Sequence, residues 1–133
     1  MLRLMFAVTE ADTAIALGSG DVPVLATPRL VAWFEAASVA ACAARLDASS
    51  TSVGTEVWIR HLRPSSVGTV VEVSVTEVSE LDRGLAFDVV AKQTEPGPEG
   101  PVTRAVATGR ILRAVVDREK FLTRVGPAQT GPA

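Results

Sequence analysis

The apolar and polar residues of the chain form two kinds of pattern. The first is one long, nearly continuous apolar stretch over residues 28–46, in which only three residues are charged. A helix that is apolar almost all round is normally buried. The stretch therefore predicts a central helix about 28 Å long, from Pro28 to Leu46, with Thr27 as its N-cap and the proline at the first helical position.

The second pattern is the alternation of apolar and polar residues, which predicts β-strands. One predicted strand precedes the helix and four follow it, at Leu2–Val8, Val53–Leu62, Thr69–Ser79, Leu85–Thr94 and Val102–Val116. A single buried helix followed by four successive strands is an α+β arrangement in which an antiparallel sheet wraps the helix. We expect this architecture to be the hot-dog fold.

Glycines and capping residues add local predictions. We expect Gly84 to adopt a positive φ in a hairpin loop at residues 82–84, and Gly109 to mark a bend or bulge in the last strand. Near the C-terminus, Asp117 is predicted to cap a short helix at Arg118–Val125.

The composition is that of one globular domain. Hydrophobic residues make up 47% of the 133 residues and charged residues 21%, which is typical of folded soluble chains. We expect one domain at residues 1–126 and a disordered C-terminal tail at residues 127–133. No stretch is long and apolar enough to span a bilayer, and the N-terminal residues do not resemble a signal peptide.

Charge and metal-ligating residues exclude several functional classes. The net charge of −2 gives no basic surface for nucleic acid or for an anionic membrane. The single Cys42 cannot form an internal disulfide, which fits a reducing cytoplasm. One cysteine and one histidine exclude a Cys/His zinc site but not a carboxylate-rich metal site. We expect neither a metal nor another cofactor.

The outer face of the predicted sheet carries the apolar residues Trp58, Val70 and Leu112. A second subunit would cover part of this face, and pairing two sheets would protect an exposed sheet edge. We therefore expect a homodimer.

Glu35 is the unusual residue of the predicted central helix. None of its helical neighbours three and four positions away is basic, so nothing along the helix neutralises its charge. A carboxylate is almost never fully buried without a partner, and burial would raise its pKa. Glu35 is therefore either the polar edge of the helix or an acid or base kept inside a site.

Four short motifs stand at defined spacings along the chain. They are Phe6-Ala7-Val8, Ala26-Thr27-x-Arg29-x-Val31-x-x-x-Glu35, Gly54-Thr55 with His61 six residues after the threonine, and Ala114-Val115-x-x-x-Glu119-Lys120-Phe121. Together they resemble the fluoroacetyl-CoA thioesterases and their wider acyl-CoA thioesterase relatives. The resemblance covers about residues 5–121.

The resemblance implies a function and a set of site residues. Thr27, Glu35 and His61 would form the catalytic set, and Gly54 and Arg113 would contact the substrate. That substrate would be an acyl-CoA thioester, hydrolysed to the free acid and CoA at sites on the dimer interface.

Elementary chemistry agrees with these roles. Thr27 would lie at the positive end of the helix, where free N–H groups can stabilise a thioester oxyanion. Glu35 leans back toward the helix start and can activate water or attack as a nucleophile. His61 is the only side chain whose ordinary pKa lies near neutrality. We expect water activation by Glu35, with Thr27 orienting the thioester.

Each of these residues also has a structural explanation. Thr27 would cap the helix in any protein, His61 would end a strand bonded to a backbone carbonyl, and Gly54 would form a bulge. Arg113 would be a solvated arginine of the sheet face. Two other functions also stay open: a non-catalytic hot-dog module that binds acyl-CoA or another apolar ligand, and a hydratase-like hot-dog enzyme.

The chain departs from the fluoroacetyl-CoA thioesterases just before Thr27. Those enzymes carry phenylalanines there that cover the acyl pocket, whereas residues 18–23 of this chain read Gly-Ser-Gly-Asp-Val-Pro. Glycines make this segment more mobile and the pocket more open. We therefore expect a short or medium acyl group as the substrate, without strict selection for fluorine.

Overall fold

The computed structural model describes residues 1–128, which form one antiparallel sheet packed against one long helix. The strands are β1 (Arg3–Ala7), β2 (Ser50–His61), β3 (Val70–Leu81), β4 (Gly84–Glu95) and β5 (Val102–Asp117). Their order across the sheet is β1-β3-β4-β5-β2, so β1 and β2 are its edges. The predicted α+β arrangement and its five strands are confirmed.

Three α-helices accompany the sheet: α1 (Ala14–Leu17), α2 (Thr27–Cys42) and α3 (Arg118–Val125). The central helix α2 is the predicted one, and a 3-10 turn at Ala43–Arg45 extends it. Among the helices of the described residues, none has the length and apolarity needed to cross a membrane.

The predicted N-cap of α2 is wrong by one residue. Ala26 is the N-cap, with extended backbone angles (φ −73°, ψ 138°) and no side-chain hydrogen bond to the helix. Thr27 is the first helical residue, and Pro28 is the second. The threonine hydroxyl is therefore free of the capping role.

The core lies between α2 and the concave face of the sheet. Helix residues spaced three and four apart are fully buried there, with Leu30, Phe34 and Ala37 at 0% exposure. This spacing directs one stripe of the helix at the sheet. The sheet meets it with buried residues from its three central strands: Val71, Val73, Phe87, Val89 and Ile111.

Two glycines are required at their positions for reasons other than those predicted. Gly84 does not adopt a positive φ; it begins β4, and a Cβ there would collide with the carbonyl of Arg113. Gly109 marks no bulge, because its register with Ile59 is regular. A Cβ on Gly109 would lie 2.6 Å from the carbonyl oxygen of Trp58 and 2.9 Å from the Phe34 ring.

The C-terminal prediction is confirmed for α3. The side chain of Asp117 accepts a hydrogen bond from the backbone N–H of Lys120 at 3.0 Å, as an N-cap should. Residues 129–133 of the predicted tail lie outside the described residues.

On the outer face of the sheet, Trp58 and Val70 are exposed, whereas Leu112 is half-buried.

We expect Gly109→Ala to lower the free energy of unfolding by about 1–3 kcal/mol, because the added methyl group overpacks the contact between β2, β5 and Phe34. Urea titration followed by tryptophan fluorescence measures the change. Thr108→Ala on the same strand is the control and should cost much less. Equal stabilities for Gly109→Ala and the wild type would show that the sheet absorbs the methyl group.

Candidate active site

The first part of the site joins the start of α2 to the end of β2. The Thr27 hydroxyl and the Nδ1 atom of His61 share a hydrogen bond of 2.8 Å. This bond explains why Thr27 does not cap its helix, since its oxygen faces the histidine instead. We call these two residues the threonine–histidine pair.

His61 is half-buried, and its surroundings change its acidity. Burial lowers its pKa below the ordinary value of 6.5, and a backbone group of Arg63 opposes this shift to a smaller extent. The ring is therefore neutral at neutral pH and can accept a proton. Its Nε2 atom is buried and has no hydrogen-bond partner within residues 1–128.

The buried side-chain amide of Gln93 holds in place the two segments that carry Thr27 and His61. Gln93 of β4 is 5% exposed, accepts a hydrogen bond from Ser65 and donates one to the carbonyl of Pro64 at 3.2 Å. Residues 64 and 65 follow His61 closely, and the Ser65 carbonyl accepts the N–H of Leu25, two residues before Thr27. Sequence reasoning missed Gln93, because only its burial within β4 sets it apart.

The second part of the site surrounds Glu35. Its Oε2 atom lies 3.3 Å from the Nη1 atom of Arg113, a residue 78 positions away. The Arg113 side chain is 7% exposed and donates hydrogen bonds to the Ser52 hydroxyl (2.8 Å), the Ser52 carbonyl (3.2 Å) and the Ser38 hydroxyl (3.4 Å). We call this group the glutamate–arginine cluster.

These contacts bear on two expectations. The view of Arg113 as a solvated arginine is wrong, because its guanidinium group is buried and bonded inside the domain. Glu35 does have a cationic partner, but it comes from β5 and not from the helix. The carboxylate is 38% exposed, so it keeps a route to solvent and to a ligand.

Gly54 belongs to the same cluster. The register of β2 against β5 shifts between Gly54 and Glu56, so the predicted bulge is confirmed. A Cβ at position 54 would overlap the Glu35 carboxylate. The glycine therefore leaves the space that this carboxylate occupies.

Within one chain the two parts stay separate. No hydrogen bond among residues 1–128 joins Glu35 to Thr27 or to His61. The threonine and the glutamate are eight positions apart on the helix, which is about 12 Å along its axis. The structure thus brings Thr27 together with His61 and brings Glu35 together with Gly54 and Arg113, and it leaves a gap between the two groups.

A cavity opens beside the threonine–histidine pair. It has a volume of about 370 Å³, and Thr27 and His61 both line it. Its other walls come from the segment before α2 and the loop after β2, with Val22, Val24 and Leu62 among them. No phenylalanine or tryptophan lines it. In the described part of the chain no cluster of acidic, histidine or cysteine side chains is arranged to hold a metal ion.

Comparison with solved structures identifies the class. A variant of the fluoroacetyl-CoA-specific thioesterase FlK in complex with fluoroacetate and CoA superposes with a TM-score of 0.78 and 26% identity, over 94% of this chain and 96% of that one. A Thermus thermophilus protein of the thioesterase superfamily (TM-score 0.76, 21% identity, 90% and 82% covered) and a hexameric hotdog fold thioesterase of Campylobacter jejuni (0.70, 13%, 92% and 92%) share the fold. The fold is that of a hot-dog thioesterase.

The family follows from the sequence itself. Residues 8–119 match the model of the FlK family, described as fluoroacetyl-CoA-specific thioesterase. The chain belongs to this family, and the expected enzyme class, a thioester hydrolase, is confirmed. A search of curated proteins found no match.

We expect the His61 imidazole to titrate below pH 6.5, because burial disfavours its charged form. The unfolded chain then binds more protons than the folded one between the two pKa values. The free energy of unfolding should therefore fall as the pH drops through that window.

NMR tests this directly, because the single histidine gives one ring resonance to follow against pH. His61→Gln should remove the corresponding slope from urea titrations at pH 5 to 7. A titration midpoint at or above 6.5 in the folded protein would contradict the expectation.

Proposed function

We propose that the protein hydrolyses a short or medium acyl-CoA thioester to the free acid and CoA, using Thr27, Glu35 and His61. The observation that carries this proposal is the 2.8 Å hydrogen bond between Thr27 and His61 at the wall of an open cavity. A hydroxyl held by a half-buried neutral imidazole at a helix start is suited to orient and polarise a carbonyl group.

The reaction follows from the two parts of the site. The thioester carbonyl lies against the Thr27 hydroxyl and the free N–H groups at the start of α2, which stabilise the oxyanion. Glu35 takes a proton from water as the water oxygen bonds to the carbonyl carbon. When the tetrahedral intermediate collapses, the C–S bond breaks, and the proton that Glu35 took from water passes through His61 to the departing CoA thiolate, which leaves Glu35 ionised and His61 neutral again. Arg113 and Gly54 keep the Glu35 carboxylate in position.

A second subunit brings its Glu35 close to the threonine–histidine pair of the first. Strand β2 is an edge of the sheet, so it has a free side for pairing. Its midpoint between Gly54 and His61 carries exposed apolar side chains, with Val57 at 40% and Trp58 at 57% exposure. Antiparallel pairing of two β2 strands about this midpoint sets His61 close to the partner's Gly54. The partner's Glu35 then faces the threonine–histidine pair.

The cavity supports an aliphatic acyl group. Its walls include Val22, Val24 and Leu62, and the glycine-containing segment at residues 18–23 borders it. Without aromatic side chains over the opening, an acyl group longer than two carbons finds room there. The substrate is therefore a short or medium acyl-CoA, and fluorine is not required for binding.

We expect Glu35→Gln and His61→Ala each to lower the rate of thioester hydrolysis by about 10²-fold or more, the usual scale for general acid–base groups. The measurement is release of CoA thiol over a panel of acyl-CoAs that includes fluoroacetyl-CoA. Glu99→Gln, in the exposed β4–β5 loop, is the control and should keep the full rate.

Equal inertness of the wild type and both variants, with CoA esters still bound, would favour the non-catalytic module. A preference for fluoroacetyl-CoA over all longer acyl groups would contradict the proposed substrate class.

We expect Val57→Arg to weaken the dimer, because it places a charge at the proposed two-fold axis of the β2 pairing. Sedimentation velocity should show monomers at concentrations where the wild type is dimeric, and hydrolysis should fall in parallel. Arg3→Glu, on the opposite edge strand, is the control. A wild type that is both fully active and monomeric would refute the shared site.

A further inference from the structure

One polar side chain of β4 occupies a position at which the strand otherwise carries apolar residues. The core-facing residues Phe87, Val89 and Ala91 are at most 1% exposed, and Gln93 follows at the next core-facing position with 5% exposure. An amide that is buried in place of an apolar side chain destabilises the fold unless its polar atoms are hydrogen-bonded. Gln93 therefore needs polar partners inside the domain.

The oxygen and the nitrogen of the Gln93 amide both have such partners. The oxygen accepts a hydrogen bond from the Ser65 hydroxyl, and the nitrogen donates to the carbonyl of Pro64 at 3.2 Å and to the Glu95 carboxylate at 2.7 Å. An ionised carboxylate can only accept hydrogen bonds, so it selects the amide nitrogen and leaves the oxygen for the serine. Glu95 is itself held by an ion pair with Arg63 at 3.5 Å. The carboxylate thus fixes the orientation of the amide.

The loop that the amide holds also supports the segment before Thr27. The Ser65 carbonyl accepts the N–H of Leu25 at 2.9 Å, and the adjoining residues form an isolated antiparallel bridge. One of these paired segments leads into α2, and the other leads out of β2. Thr27 comes two residues after Leu25, and His61 comes four residues before Ser65. Gln93 therefore fixes the loop against which both members of the threonine–histidine pair are placed.

We propose that Gln93 is a positioning residue for thioester hydrolysis, acting through the 2.8 Å hydrogen bond between Thr27 and His61. The proposal rests on the proposed function, since it concerns the same reaction. Gln93 is not among the residues that line the cavity beside the threonine–histidine pair, so it acts without touching the substrate there. A displacement of about 1 Å in a catalytic group can lower a rate about 100-fold. A side chain that fixes the spacing of the pair therefore controls the rate from outside the cavity.

The test replaces Gln93 by methionine, which fills nearly the same volume and forms none of the three hydrogen bonds. We expect Gln93→Met to lower kcat for an acyl-CoA by about 10- to 100-fold, because the pair loses its spacing. Nitrogen NMR of the neutral His61 ring gives a second readout. The Nδ1 resonance should move toward its position in Thr27→Val, in which the hydrogen bond to the ring is absent.

The matched control is Val89→Ala, which removes buried volume from the same face of the same strand. It should lower the free energy of unfolding and leave kcat and the Nδ1 resonance unchanged. Ser65→Ala should lower kcat in the same way as Gln93→Met. The double variant of Ser65 and Gln93 should lose little more than Gln93→Met alone, because both changes remove the same bond.

The proposal requires that kcat and the Nδ1 resonance both change in Gln93→Met. A change in only one of them, or equal changes in Val89→Ala, would overturn it. The NMR readout also separates this proposal from the proposed function. If the wild type hydrolyses no acyl-CoA, the proposed function fails, and the Nδ1 resonance still decides whether Gln93 positions the threonine–histidine pair.

Discussion

The pairing of Glu35 with Arg113 is the interaction on which the site depends. A guanidinium group that is 7% exposed must be neutralised inside the domain, and its hydrogen bonds to Ser38 and Ser52 tie α2, β2 and β5 together. Removing one partner of a fully buried ion pair costs about 3–5 kcal/mol; the cost is smaller here because Glu35 is more than a third exposed. The same exposure leaves this carboxylate open to a ligand, as the proposed role of a base requires.

The threonine–histidine pair is held by a neutral hydrogen bond, whereas the glutamate–arginine cluster is held by an ion pair. It has no charge at neutral pH, and its strength comes from a short bond between two neutral groups and from the buried Gln93 that fixes the loops around it. In the proposed dimer, a neutral hydrogen-bonding group next to a helix start and a charged base from the other subunit give the reacting carbonyl two different environments. The gap between the two groups in one chain is what that proposed arrangement accounts for.

Much of the fold could be predicted because its signals are local. Periodicity alone predicts α2 and the five strands, and the spacing of Thr27, Glu35 and His61 points to the family. The errors come from long-range contacts. Thr27 was expected to cap its helix because its hydrogen-bond partner, His61, comes 34 residues later. Arg113 is 78 residues from Glu35. Gly84 and Gly109 are needed because a Cβ at either position would collide with a neighbouring strand, and at Gly109 also with Phe34. No pattern along the chain encodes such contacts.

The wall of the cavity beside the threonine–histidine pair comes largely from the short segment between α1 and α2. This segment lies outside the five-stranded sheet, and its first residue, Gly18, adopts a left-handed conformation that suits a reversal of direction. Residues 18–23 are all exposed, so changes of side chain or length there leave the core, the threonine–histidine pair and the glutamate–arginine cluster untouched. Under the proposed function, exchange of this one surface loop alters which acids are released and keeps the chemistry constant.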